Sequence, residues 1–292
     1  MNKSICYKNI NLRISHLLNK AKPLSPAFLK KILSIILLEM SYIMRQWSAK
    51  NRPHTQYILL SNPRCGSSLL QSYLASHANI LDGDTIFHQR ELSRFPSHYL
   101  YRMASCYYRA KLGGKQPDDV YAVGIKMLYI NCDLDNYVWR FLSSLPNLKV
   151  IHLKRQNPLR LYVSWEIAQK TNIWNVTQEE YEQLSTRRCI TYSREQMYAY
   201  LDDVENKTKC FDECWFAKHE KLEIFYEDLI SNTDNVMARI QQFLHVPIYP
   251  VHADLVRMNS EPLAELIDNY DQFSADIQGT PWEEYLDDEI CL

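Results

Sequence analysis

Four short apolar runs, Tyr57–Leu60, Tyr121–Met127, Val150–Leu153 and Leu222–Tyr226, punctuate the chain, and stretches with helical spacing lie between them. Apolar runs this short, without polar alternation, mark strands covered on both faces of a parallel sheet. The spacing predicts helices over Ser67–His77, Leu134–Ser144, Leu159–Lys170, Asn235–His245 and Leu263–Phe273, with helix and broken loop between Glu179 and Glu205. Strand–helix alternation of this kind builds parallel βαβ units with helices on both faces, an α/β fold. There is no internal repeat and no low-complexity tract.

Composition narrows the function classes. Hydrophobic residues make up 46% of the 292 and charged residues 23%, which excludes a disordered, collagen-like or disulfide-framework chain. A net charge of −1 gives no overall bias toward nucleic acid. The eight cysteines are scattered, as reduced thiols of a cytosol-like compartment are. Cys210 and Cys214 have no second cysteine pair and no close histidine pair, so no metal site is expected.

The charge is unevenly placed. Residues 1–52 hold ten Lys or Arg and one acid, Glu39, which leaves −10 on the rest. The apolar stretch Ile32–Met44 is too short to span a bilayer and contains Glu39. Leu29, Ile32, Leu33, Ile36, Leu37 and Met40 recur at helical spacing, the pattern of an amphipathic helix packed on the body. The sharper alternative is peripheral membrane contact through residues 1–52, their lysines meeting anionic lipid. Arg52-Pro53-His54 ends this helix, which divides the chain into a basic arm, 1–52, and a domain, 53–292.

The loop after the first strand, Ser61-Asn62-Pro63-Arg64-Cys65-Gly66-Ser67-Ser68-Leu69-Leu70, carries the most chemistry. A strand-to-helix turn exposes backbone N–H groups, and a helix N-terminus favours an anion. Gly66 lets the backbone come close, Ser67 and Ser68 add hydroxyls, and Arg64 adds a fork of charged donors. The Lys of a Walker A loop is missing after Gly66, which argues against a nucleotide kinase, the second function class considered. A second strand–basic turn–helix unit runs from Val150 to Ala168. Arg155 falls at the carboxyl end of its strand, where parallel α/β sheets bind ligands, and Ser164 follows about two turns into the helix.

Together, Pro63-Arg64-Cys65-Gly66-Ser67-Ser68-Leu69-Leu70 and Leu153-Lys154-Arg155-Gln156-Asn157 with Ser164 and Ala168 resemble the sulfotransferases that use 3′-phosphoadenosine 5′-phosphosulfate (PAPS). The stretch from Arg155 to Trp174 looks closest to the bacterial carbohydrate enzymes of the trehalose and nodulation-factor type. Gly124-Ile125-Lys126-Met127, Phe225-Tyr226-Glu227-Asp228-Leu229 and Gly279-Thr280-Pro281-Trp282 are similar to later segments of that family. The resemblance runs from Gln56 to Leu286. It implies a P-loop-NTPase-like three-layer fold with a central parallel sheet. It also implies that Arg64, Cys65, Gly66, Ser67, Ser68 and Leu69 hold the 5′-phosphosulfate, that Arg155 and Ser164 hold the 3′-phosphate, and that Arg257 closes over the nucleotide.

The reaction implied is direct sulfuryl transfer from PAPS to a hydroxyl of a carbohydrate or glycolipid, without a metal if Arg64 and Lys126 supply the charge. Cys65 stands where the family has Ser or Thr, and a thiol is the poorer donor. In the resembling enzymes the general base is a Glu one helix beyond the phosphate loop. Thr85 takes that position here, so Asp84 is the first choice, followed by His88, Asp82 and Glu91. A catalytically degenerate binding protein on the same fold is the third function class. Acceptor specificity is expected in Gln89–Gly114 and Thr177–Glu220. Homodimerisation and membrane contact are left open, and a cytoplasmic location is expected.

Overall fold

The computed structural model describes residues 53–83, 104–105, 108, 112–131, 137–182, 188–255 and 257–286. Five parallel strands form one sheet: β1 (Thr55–Ser61), β2 (Ile80–Gly83), β3 (Ala122–Leu128), β4 (Leu148–Lys154) and β5 (Lys221–Phe225), in the order β2-β3-β1-β4-β5. The four strands expected from the apolar runs are all present, within one or two residues of their expected bounds. The register brings the carboxyl ends level. Ser61 lies opposite both Leu128 and Leu153, and Lys154 opposite Phe225.

β1 is central, and from Tyr57 to Ser61 it is buried throughout. Tyr57, Ile58, Leu59 and Leu60 are all 0% exposed. Their alternation divides the interior into two layers. Ile58 and Leu60 pack with Trp139, Phe141 and Leu142 of α2 (Tyr137–Ser143) on one face. Tyr57 and Leu59 pack on the other with Leu70 and Leu74 of α1 (Ser67–Ala75), and with helix Thr233–Phe243 through Val236, Met237 and Ile240. Helices therefore cover both faces of the sheet, as the strand–helix alternation requires. A third cluster, away from the sheet, joins α3 (Pro158–Thr171) to the helices Arg194–Cys210, Leu263–Leu266 and Tyr270–Ile277.

One glycine is fixed by the sheet itself. Tyr57, Gly124 and Asp82 stand side by side across β1, β3 and β2. The Tyr57 ring passes over Gly124, where a Cβ would lie 2.1 Å from it, and its hydroxyl donates to Asp82 Oδ1 at 3.0 Å. Asp82, a candidate base, is thereby engaged in holding the edge strand.

Three expectations need correction. β2 was not anticipated. Tyr226 opens a helix, Tyr226–Ser231, instead of ending a strand. Leu263–Phe273 is interrupted at Ile267, whose extended backbone bridges Ile190 before a new helix starts at Tyr270. The arm 1–52 lies outside the described residues.

Candidate functional site

The turn from β1 into α1 is built around Gly66. It sits at the N-cap of α1 with φ 83°, and no side chain caps the helix. The first helical hydrogen bond runs from Leu70 N–H to Gly66 O. The amides of Gly66, Ser67, Ser68 and Leu69 therefore lie outside the helix's own bonds, where an anion is favoured. A Cβ at Gly66 would lie 2.4 Å from the Tyr226 ring. That same ring stacks under the Arg155 guanidinium, 4.8 Å from centroid to Cζ. Tyr226 thus fixes the β1–α1 turn and Arg155 against each other.

The turn from β4 into α3 differs. Side chains engage the amides leading into its helix. Asn157 caps it by accepting from Arg160 N–H, and Glu227 accepts from the amides of Gln156 and Asn157 at 2.9 and 3.3 Å. Glu227 also lies 3.9 Å from Arg155 Nε. Glu227 and Asn157 thus occupy amides that in the first turn stay open.

The two turns meet at Ser164. Arg64 Nε donates to Ser164 Oγ at 3.0 Å, and Arg64 Nη1 donates to the Trp174 carbonyl. Arg155 Nη1 donates to the Arg64 carbonyl at 3.2 Å, and Asn259 Nδ2 to Ser164 Oγ at 3.4 Å. The resemblance places Arg64 in the first cradle and Ser164 in the second; the side chains join the two. Burial, and next the neighbouring Arg155, pull the Arg64 guanidinium down to about 10, which leaves it cationic at neutral pH. Of these two half-buried arginines, Arg155 pairs with the buried carboxylate of Glu227. Arg155 Nε and Asn259 Oδ1 are buried without hydrogen-bond partners. The site holds surplus positive charge and unspent hydrogen-bonding capacity, as an anion site must.

The other candidates fall as follows. Lys126 leaves β3 on the α1 side and donates from Nζ to Ser68 Oγ at 3.2 Å. Ser67 is buried, and Ser68, Leu69 and Arg257 are half-buried. Cys65 is 2% exposed and faces the core; burial raises its thiol to about 12, so only its backbone is left for a ligand. Asp84, the residue after β2, lies outside the described residues, as do Thr85, His88 and Glu91.

Reading the sequence missed Asn259, the Trp174 carbonyl and the double role of the Tyr226 ring. Only Asn259 left a signal, since asparagine is among the few residues that tolerate its φ of 53°.

Beside the site, His152 is fully buried between Tyr129, whose hydroxyl pairs with Nε2, and Asp212 Oδ1, 3.0 Å from Nδ1. Glu223 completes a group of metal-ligating type among the described residues. Lys154 Nζ already bridges Asp212 and Glu223 at 2.8 and 2.9 Å, and Lys221 Nζ lies 2.6 Å from Asp212. Ammonium groups already bridge these carboxylates, so the cluster reads as a structural tie between β4, β5 and the π-helical segment Phe211–Trp215.

The family model described as "Sulfotransferase domain" matches residues 54–272. No curated protein sequence matches the chain. Among solved structures, the chain is similar to a sulfotransferase from Alicyclobacillus acidocaldarius, with 18% identity and a TM-score of 0.46, covering 78% of this chain and 92% of that one. It is also similar to the sulfotransferase domain from the curacin biosynthetic pathway, with 16% identity and a TM-score of 0.41, covering 69% and 77%.

Proposed function

The chain belongs to the sulfotransferase domain family, and from that premise we propose that it moves the sulfuryl group of PAPS to a hydroxyl of a carbohydrate or glycolipid. One observation carries the nucleotide half: two half-buried guanidiniums, Arg64 and Arg155, converge with Ser164 beside the uncapped N-terminus of α1. PAPS carries anionic groups at both ends of its ribose and needs two adjoining cradles. The α1 amides with Ser67 and Ser68 receive the 5′ end, and Arg155 with Ser164 the 3′-phosphate.

The acceptor oxygen forms a bond to sulfur while the bond from sulfur to the 5′-phosphate oxygen breaks, and the bisphosphate leaves with the electron pair. Catalysis of this kind is positioning plus neutralisation of charge. Lys126, Arg64 and the α1 amides supply the neutralisation. The acceptor proton passes to a base, for which Asp84, one residue past β2, is the first choice and His88 the second. Support for a sugar acceptor comes from the sequence between Arg155 and Trp174. It comes also from the half-buried rings of Trp165, Trp174 and Tyr200, packed together beside Arg64, since aromatic faces suit sugar rings.

Transfer of radiolabelled sulfate from PAPS to a panel of mono- and disaccharides, glycolipids and simple phenols tests the reading. Labelled sugar or glycolipid, lost in Asp84→Asn, is expected. Transfer to phenols alone would contradict the acceptor class. Full activity in Asp84→Asn would contradict the base. Among the described residues, no helix is long and apolar enough to cross a membrane.

A further inference from the structure

Asn259 is held in place from its backbone. Its φ of 53° is left-handed, and Arg160 Nη1 donates to its carbonyl at 3.0 Å and to that of Glu261 at 2.6 Å. A bridge between Thr177 and Leu255 ties this segment to the stretch after α3. The side chain, 4% exposed, spends its amide nitrogen on Ser164 Oγ, and its Oδ1 accepts nothing. A buried carbonyl oxygen without a donor is a costly arrangement in a finished fold.

A second unspent group lies in the same network, on the other side of Ser164 and Arg64. Arg155 Nε is buried and makes no hydrogen bond, and the Glu227 carboxylate it pairs with stands off at 3.9 Å. The site therefore has room for two things at once, an acceptor oxygen within hydrogen-bond distance of Arg155 Nε and a hydrogen for Asn259. A free sulfate or a terminal phosphate dianion supplies the first but not the second. A phosphomonoester flanked by a hydroxyl supplies both, and in a 3′-phosphorylated ribonucleoside the flanking group is the 2′-hydroxyl.

We propose that Asn259 is a specificity-determining residue that accepts a hydrogen bond from the 2′-hydroxyl beside the 3′-phosphate, so that the protein selects ribo- over 2′-deoxyribonucleotide donors. The proposal rests on the PAPS reading above. It assigns to this side chain a discrimination that the phosphate contacts of Arg155 and Ser164 cannot make, since both forms carry the same phosphates.

The test is calorimetric titration of 3′-phosphoadenosine 5′-phosphate and its 2′-deoxy counterpart into the parent protein and Asn259→Gly. Glycine keeps the left-handed backbone and removes only the amide. The parent should bind the ribo form about tenfold more tightly, the scale of one hydrogen bond to a ligand. Asn259→Gly should bind both forms with the parent's affinity for the deoxy form, within about a factor of three. Equal binding of the two forms by the parent, or equal weakening of both in the variant, would overturn the proposal. If the parent binds neither form, the PAPS reading itself fails. Should Asn259→Gly not fold, Asn259→Asp keeps an acceptor atom. It should retain the ribo preference while its added charge weakens both ligands, and loss of the preference there would also overturn the proposal.

Discussion

Gly66 answers two demands at once, a left-handed backbone and the Tyr226 ring 2.4 Å from where a Cβ would sit. The ring cannot swing away freely, because it is buried beneath Arg155. Gly66→Ala should therefore destabilise the protein by roughly 1–3 kcal/mol and weaken bisphosphate binding at least about tenfold, since Arg155 shifts with the ring. Thermal denaturation and titration check the two effects, and an unchanged melting temperature would contradict the packing described. Cys65, next to it, has its thiol raised to about 12 by burial. At pH 8 it stays protonated and inert, so iodoacetamide should leave Cys65 unlabelled in the native protein, as peptide mapping would show. The need for Gly66, Ser67 and Ser68 was legible in the sequence because a strand-to-helix turn is a local structure. The inward turn of Cys65 and the reach of Arg64 to Ser164 were not, because both depend on what packs against the loop from elsewhere in the chain.

At the scale of elements, the two strand-to-helix turns look alike in sequence and differ in structure. α1 has no side-chain cap, while at α3 Asn157 takes the Arg160 amide and Glu227 the amides of Gln156 and Asn157 just before the helix. Glu227 follows β5, far away in sequence, and no reading of Val150–Ala168 alone could supply it. β1, β3, β4 and β5 were legible because buried parallel strands are continuously apolar. β2 was not: Ile80-Leu81-Asp82-Gly83 holds only two large apolar residues and sits at the sheet edge.

The tie at β4 makes a prediction about acid. Burial holds His152 below its ordinary value, against the pull of Asp212. An imidazole kept neutral when folded and free to take a proton when unfolded contributes stability that is present above ~6.5 and lost as pH falls below it. Burial pushes the Asp212 carboxyl up, but hydrogen bonds from His152, Lys154 and Lys221 outweigh it and hold the group well below the carboxylate range. Its contribution is present above ~4 and lost below. The gap in melting temperature between the parent and His152→Gln should therefore narrow as pH falls from 7 to 5. A gap that stays constant would contradict this reading of His152.

Over the whole molecule, level strand ends bring three separate stretches to one edge of the sheet: the loop after β1, Arg155 after β4, and Tyr226 with Glu227 after β5. Strand order puts β1 between β3 and β4, so the chain reverses direction across it. Ligands of open α/β sheets bind at such a switch point. Strand–helix alternation gave a parallel sheet, and the two basic turns placed Arg64 and Arg155 at strand ends; the strand order and the contributions of Tyr226 and Glu227 came only with the structure. So did the site's outer wall: Asn259 and Trp174 reach it from segments of no regular structure, fastened by Arg160 and the Thr177–Leu255 bridge.

If this end of the sheet holds a sulfonucleotide, calorimetric titration with 3′-phosphoadenosine 5′-phosphate, alongside ATP and 5′-AMP, on the parent and on Arg155→Ala should show it. The bisphosphate should bind in clear preference to both other nucleotides, with a loss of at least about a hundredfold in Arg155→Ala. Equal binding of ATP, or a bisphosphate affinity untouched by Arg155→Ala, would contradict this reading.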